Sequence, residues 1–63
     1  MFNLKMIRLN KNLSQKEVGE KSGISESFYC LIENGERQPS VTTAKKIANV
    51  LEFEWTKFFD KAE

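Results

Sequence analysis

The sequence predicts an all-α fold of five short helices, and three observations carry that expectation. Residues that cap helix starts recur along the chain, at Asn3, Ser14, Ser25 and Ser40. Stop signals follow at Asn12, Gly23 and Asn34-Gly35. Apolar residues recur three and four apart, with no run of strand-like alternation. At 63 residues the chain suits one domain. So short a chain buries only about 60% of its extended surface, which makes every large apolar side chain count.

Each element has its own warrant. Asn3 caps a first helix with Leu4, Ile7 and Arg8 on one face, and Asn12 ends it, since asparagine tolerates the left-handed conformation. Ser14-Gln15-Lys16-Glu17 fits a capping box, in which serine accepts from a backbone amide and glutamate reaches back. That opens a short second helix with Val18 and Gly19 inward, ending at Ser22-Gly23. Ser25 caps a third helix with Phe28, Tyr29 and Ile32 on its apolar face. Pro39-Ser40 starts a fourth, bearing Val41, Ala44, Ile47, Ala48 and Leu51 at helical spacing. A fifth runs over a turn or two from Trp55 to Asp60.

Composition narrows the chemistry. With 40% hydrophobic and 30% charged residues the chain suits a compact fold. It has no histidine, the commonest general base and a common metal ligand. A lone Cys30 makes no internal disulfide and no zinc cage, and it favours a reducing cytoplasm. The longest apolar run, Phe28 to Ile32, is far short of a membrane span, and the first ten residues lack a signal-peptide core. No cofactor, metal or small-molecule substrate is expected. The glutamates show no spacing that singles out an acid–base pair, so an enzyme is not expected either. The net charge is +1, and its distribution says more. Residues 1–11 carry Lys5, Arg8 and Lys11 with no acid, whereas residues 26–37 set Glu26, Glu33 and Glu36 against Arg37. The basic patch of a nucleic-acid binder is weak here.

The sharpest signal lies in residues 15–34. Counting from Gln15, Val18 stands fourth, Gly19 fifth, Gly23 ninth, Ile24 tenth, Tyr29 fifteenth and Ile32 eighteenth. A small residue where two helices touch and a glycine where the chain reverses suit a steeply crossed pair. Together they predict a helix-turn-helix built from the second and third helices.

With "Leu-Ser-Gln-Lys-Glu-Val" at 13–18, "Gly-Ile-Ser-Glu-Ser" at 23–27, "Ile-Glu-Asn-Gly-Glu-Arg" at 32–37, "Pro-Ser-Val" at 39–41 and "Lys-Lys-Ile-Ala" at 45–48, the chain resembles the lambda-repressor and Cro-like (XRE-type) helix-turn-helix regulators. The resemblance runs from Leu4 to Phe59. It implies a five-helix lambda-repressor-like domain that binds double-stranded operator DNA as a homodimer, the third helix in the major groove. By the same resemblance Gln15, Ser25, Phe28, Asn34, Gly35 and Arg37 position phosphates, the loop after the third helix supplying backbone amides and a cation. Arg8 and Glu33 match the family's ion pair between the first and third helices. Four positions depart from the pattern: Glu26 and Leu31 replace basic or amide residues, Phe28 lacks a tyrosine hydroxyl, and Glu52 stands where glycine is common.

Each site residue has a bland alternative. Gln15 is either solvated or on a phosphate at a helix N-terminus. Glu26 is either a helix-dipole partner or an acceptor for a cytosine amine. Ser27 suits either donor or acceptor base edges, and Leu31, four residues on, is either an ordinary exposed leucine or a thymine-methyl contact. Cys30 reads as packing rather than a redox switch. Trp55, Phe58 and Phe59 are either all core or, as three large aromatics within five residues, more than a small core readily hides; on the second reading Phe53, Trp55 and Phe58 are assigned to a dimer interface. The function expected is a transcriptional regulator, a repressor acting by operator occupancy, controlled through its concentration or a regulatory partner protein. The alternative is an antitoxin-like or adaptor module that binds protein. Salt separates the two, since DNA affinity falls steeply with ionic strength.

Overall fold

A computed structural model describes residues 2–59. Four α-helices follow one another: α1 (Leu4–Asn10), α2 (Gln15–Ser22), α3 (Glu26–Glu33) and α4 (Val41–Leu51), then a 3₁₀ helix at Trp55–Phe59. There is no strand among the described residues. The all-α expectation stands, and among the described residues the five expected helices are four α-helices and a 3₁₀ helix. Trp55–Phe59 is only five residues long, and the tighter i→i+3 helix is the usual form of such short pieces. Asp60, where that element was expected to end, lies outside the described residues.

The caps explain the boundaries. The side-chain oxygens of Asn3, Ser14, Ser25 and Ser40 each accept from the backbone N–H three residues on, at Met6, Glu17, Phe28 and Thr43. The Ser14 box is reciprocal, because Glu17 accepts from the Ser14 N–H at 2.8 Å. At the other ends the chain turns left-handed: Asn12 has φ 58°, Gly23 75°, Gly35 81° and Glu52 61°. Asparagine and glycine enter that region cheaply. Glu52 does not, so the residue standing in place of a glycine holds a strained conformation, with its carboxylate on Lys11.

Leu4, Val18, Tyr29, Ile32, Ile47 and Leu51 form the core, closed by Ala44 and Ala48. α2 packs on both α3 and α4, and α4 carries the 3₁₀ helix. Val41, expected on the inner stripe of α4, is instead 49% exposed. Its position opens the helix, and the stripe there runs a turn past the core. Phe2, Phe53 and Phe58 stack in a triangle with ring centroids 5.2–5.5 Å apart, joining the two ends of the domain over the core. No helix among the described residues is long and apolar enough to cross a membrane.

Candidate nucleic-acid interface

The angle between α2 and α3 is set by a missing side chain. A Cβ on Gly19 would lie 3.1 Å from the Ile24 carbonyl oxygen, 3.3 Å from that of Ser25 and 3.4 Å from the Glu26 Cα. α2 therefore rests directly on the backbone that begins α3, as the glycine in the fifth place of the motif led one to expect. Gly23 supplies the left-handed turn between the helices, and its N–H donates to the Glu20 carbonyl.

Burial then fixes how α3 is rotated. Tyr29 and Ile32 face the core, and Glu26 and Ser27 are exposed at its open end. Phe28, Cys30 and Leu31 are half-buried. Ser25, at the turn, is exposed while its hydroxyl caps the helix. The three residues assigned to base edges thus lie on one element, away from the core.

A polar network holds this element to its neighbours. Arg8 Nε donates to Glu33 Oε2 at 2.7 Å and a second guanidinium nitrogen to Oε1 at 3.3 Å. The third reaches the Leu13 carbonyl at 2.9 Å. Gln15 Nε2 donates to Glu33 Oε1 at 2.8 Å, and the Tyr29 hydroxyl donates to Oε2 at 3.0 Å. One carboxylate therefore ties α1, α2 and α3 together. The side chains of Arg8 and Glu33 are only 9% and 3% exposed, so the two charges meet largely out of solvent.

The electrostatics follow from these contacts. Burial pushes the Glu33 carboxyl upward, but the hydrogen bonds from Arg8, Gln15 and Tyr29 outweigh it and hold the group below its ordinary value. Tyr29 moves the other way, raised by burial and then by the negative charge it faces. Arg8 is raised, first by its hydrogen bond to Glu33.

The network also revises what Gln15 offers. It is neither simply solvated nor free, since one amide hydrogen is committed to Glu33. The side chain is half-buried and locked at the first position of α2. Ser14 takes the Glu17 and Val18 amides, so the first-turn donors left to an anion are those of Gln15 and exposed Lys16. Lys16 was not singled out in the sequence. Its signal was there, as a cation one residue inside a capped N-terminus.

The loop after α3 differs from expectation in a similar way. The backbone N–H groups of Asn34, Gly35 and Arg37 donate to the carbonyls of Cys30, Ile32 and Leu31. The amides are committed to closing the helix, and the exposed Arg37 side chain is what that loop presents. The Asn34 side-chain amide turns back to Cys30 Sγ at 3.6 Å.

The C-terminal aromatics divide. Phe53 and Phe58 are half-buried in the triangle with Phe2. Trp55 stands outside it, edge-on to Phe59, with Lys45 Nζ 5.1 Å from its ring. Among the described residues no group of three or more His, Cys, Asp or Glu is placed to hold a metal ion.

Known proteins share this arrangement. The helix-turn-helix family model matches residues 4–58. The chain is 47% identical over 57 residues to the uncharacterized HTH-type transcriptional regulator YqaF of Bacillus subtilis (strain 168), covering 90% of this chain and 75% of YqaF. It is 36% identical to the HTH-type transcriptional regulator SlrR of the same organism, covering 90% of this chain but only 38% of SlrR. Among solved structures it is similar to one of the SinR protein–SinI protein complex, with TM-score 0.80 and 29% identity, covering 92% of this chain and 57% of that one. Motif, geometry and relatives agree, and the chain belongs to the XRE-type helix-turn-helix family of transcriptional regulators.

Proposed function

We propose that the chain binds double-stranded DNA in a sequence-specific manner and represses transcription by occupying an operator as a homodimer. The observation that supports this best is α3 itself. Its inner face is locked by the Arg8–Glu33–Gln15 network and by the Gly19 contact, while Glu26 and Ser27 are exposed and Leu31 is half-buried beside them. A rigid helix with open polar positions at its N-terminal end is what major-groove reading requires. In this reading Glu26, Ser27 and Leu31 meet base edges. Gln15, Ser25, Phe28, Asn34 and Arg37 lie along the DNA backbone, with Lys16 joining them, while Gly35, its amide spent on the Ile32 carbonyl, shapes the loop that carries Arg37.

Positioning and reading separate in a competition assay at two salt concentrations. Arg37→Ala should weaken binding to a preferred duplex and to random duplex alike, and flatten the salt dependence by about one unit of slope. Ser27→Ala and Glu26→Gln should instead change preference, at a cost of about 1–3 kcal/mol on the preferred site and much less elsewhere. A Glu26→Gln variant that tightens on every duplex would mark Glu26 as a source of repulsion only. Variants indistinguishable from the parent on both duplexes would remove the DNA-reading function.

The homodimer proposal is supported by the edge that Trp55 leaves half-exposed beside Phe59, isologous pairing being the commonest assembly. Sedimentation of the DNA complex should give two chains per duplex. Trp55→Ala should lower that stoichiometry while leaving the Phe2–Phe53–Phe58 triangle in place. Unchanged stoichiometry would exclude this edge as the interface.

A second reading is a protein-binding module, favoured by the same aromatic edge. The similar solved structure is itself a complex of two proteins. Binding to a partner through that edge would change little with salt, unlike binding to DNA.

A further inference from the structure

With Tyr29 and Ile32 held in the core, the helical repeat puts Ser27, Cys30 and Leu31 together on the opposite side of α3, at positions i, i+3 and i+4. Glu26 lies at the edge of this strip, one turn ahead of Cys30. Arginine or lysine reads guanine through two hydrogen bonds, and asparagine or glutamine reads adenine in the same way. No arginine, lysine or glutamine stands anywhere in α3. The nearest amide, Asn34, has its Nδ2 on Cys30 Sγ. What remains on the strip is one hydroxyl, one thiol and one branched apolar side chain. The thiol behaves as a small apolar group, so Leu31 and Cys30 form a soft patch that makes no strong hydrogen bond. The feature of a base pair that suits such a patch is the C5-methyl of thymine, which projects into the major groove.

We infer that this chain selects its DNA by thymine methyl groups, seated against Leu31 and Cys30, and not by two-hydrogen-bond recognition of purines. The inference rests on the DNA-binding reading above and deepens it. It names the class of target: half-sites whose central contacts are thymines, flanked on the Glu26 side by a base with an exposed amine. Glu26 supplies an acceptor and Ser27 a contact of either sense.

The test removes the methyl group and nothing else. A preferred duplex is selected from a random pool and remade with deoxyuridine in place of one thymine at a time. Base pairing is kept, and only the C5-methyl is lost. Affinity should fall about fourfold for each thymine methyl that meets the patch, the scale of burying one methyl-sized group. In Leu31→Ala the difference between thymine and uracil should shrink towards one, because the partner surface is gone. Cys30→Ser should shrink it in part. A parent that prefers its selected duplex equally well with thymine or uracil at every position overturns the inference and leaves the DNA-reading function standing. The same holds if Leu31→Ala retains the full thymine–uracil difference. A chain that selects no duplex at all overturns both together.

Discussion

Arg8→Met should unfold most of the protein at physiological temperature while leaving no altered base preference in what stays folded. The substitution keeps the aliphatic bulk and removes three hydrogen bonds, two to Glu33 and one to the Leu13 carbonyl. It leaves a carboxylate that is 3% exposed with only Gln15 and Tyr29 as partners. Breaking a buried pair from one side costs about 3–5 kcal/mol. That is a large share of what a domain of this length has in all, at roughly 0.05–0.15 kcal/mol per residue. At about 4–8 °C per kcal/mol the melting temperature should fall by more than ten degrees. Differential scanning calorimetry measures this directly, and a melting temperature within two or three degrees of the parent would contradict the buried-pair account.

The pH dependence supplies a second check with a definite sign. Glu33 is held below its ordinary value in the folded protein, so the stability it contributes is present above that ordinary value of 4.5. It is lost as the pH falls further, through the depressed folded value. In Arg8→Met the guanidinium no longer holds the carboxyl down, and desolvation, the largest single influence on it, opposes the charge with less resistance. The acid-side loss of stability should therefore shrink. Adding Glu33→Gln to Arg8→Met should recover part of the loss, because the stranded charge is gone. Should the double variant be no more stable than Arg8→Met, the penalty lies in packing and not in the buried carboxylate.

Gly19→Val should be the second severe change, and it should affect DNA binding as well as stability. The Cβ position already lies 3.1 Å from a backbone carbonyl oxygen, and the atoms it meets are main chain at the start of α3. A branched side chain cannot be accommodated by a rotamer change elsewhere. α3 must move away from α2, at a cost of about 1–3 kcal/mol or more for overpacking. The displaced residues include Glu26, so specific binding should fall further than stability alone explains. Gly19→Ala makes the informative control. Alanine gains up to about 1 kcal/mol of helix propensity, against a contact that must open by a few tenths of an ångström. Its stability should stay near the parent's while its preference among duplexes weakens. Chemical denaturation, with fluorescence anisotropy on the selected duplex, separates the two effects. A Val variant as stable as the parent would show that the contact is slack.

Local rules made much of this molecule legible from the amino-acid order. Capping depends on a side-chain oxygen and an amide three residues away, so Asn3, Ser14, Ser25 and Ser40 mark helix starts before any tertiary contact exists. Stops at Asn12, Gly23 and Gly35 depend on single-residue conformational freedom and were equally visible. The fixed spacing of Gln15, Val18, Gly19, Gly23 and Tyr29 carried the helix-turn-helix and with it the family. Glu52 was legible too, because an exceptional residue at a glycine position implies strain.

What only the tertiary structure decided is how polar groups and aromatic rings are shared between distant segments. Gln15 and Glu33 are far apart in sequence, and no local rule says that a helix-opening amide is spent on a buried carboxylate. Tyr29 lies four residues before Glu33, so that contact was within reach of helical spacing, but its burial depended on the packing around it. The loop amides of Gly35 and Arg37 could face solvent or close the helix, and only the folded path committed them to α3 carbonyls. Phe2 carried no signal until the chain ends met at Phe53 and Phe58. Capping and turn preferences act over three or four residues, so the sequence alone determined where the helices begin and end. Burial and the sharing of hydrogen bonds are properties of the whole packed chain, and they decided which side chains remain available to a ligand.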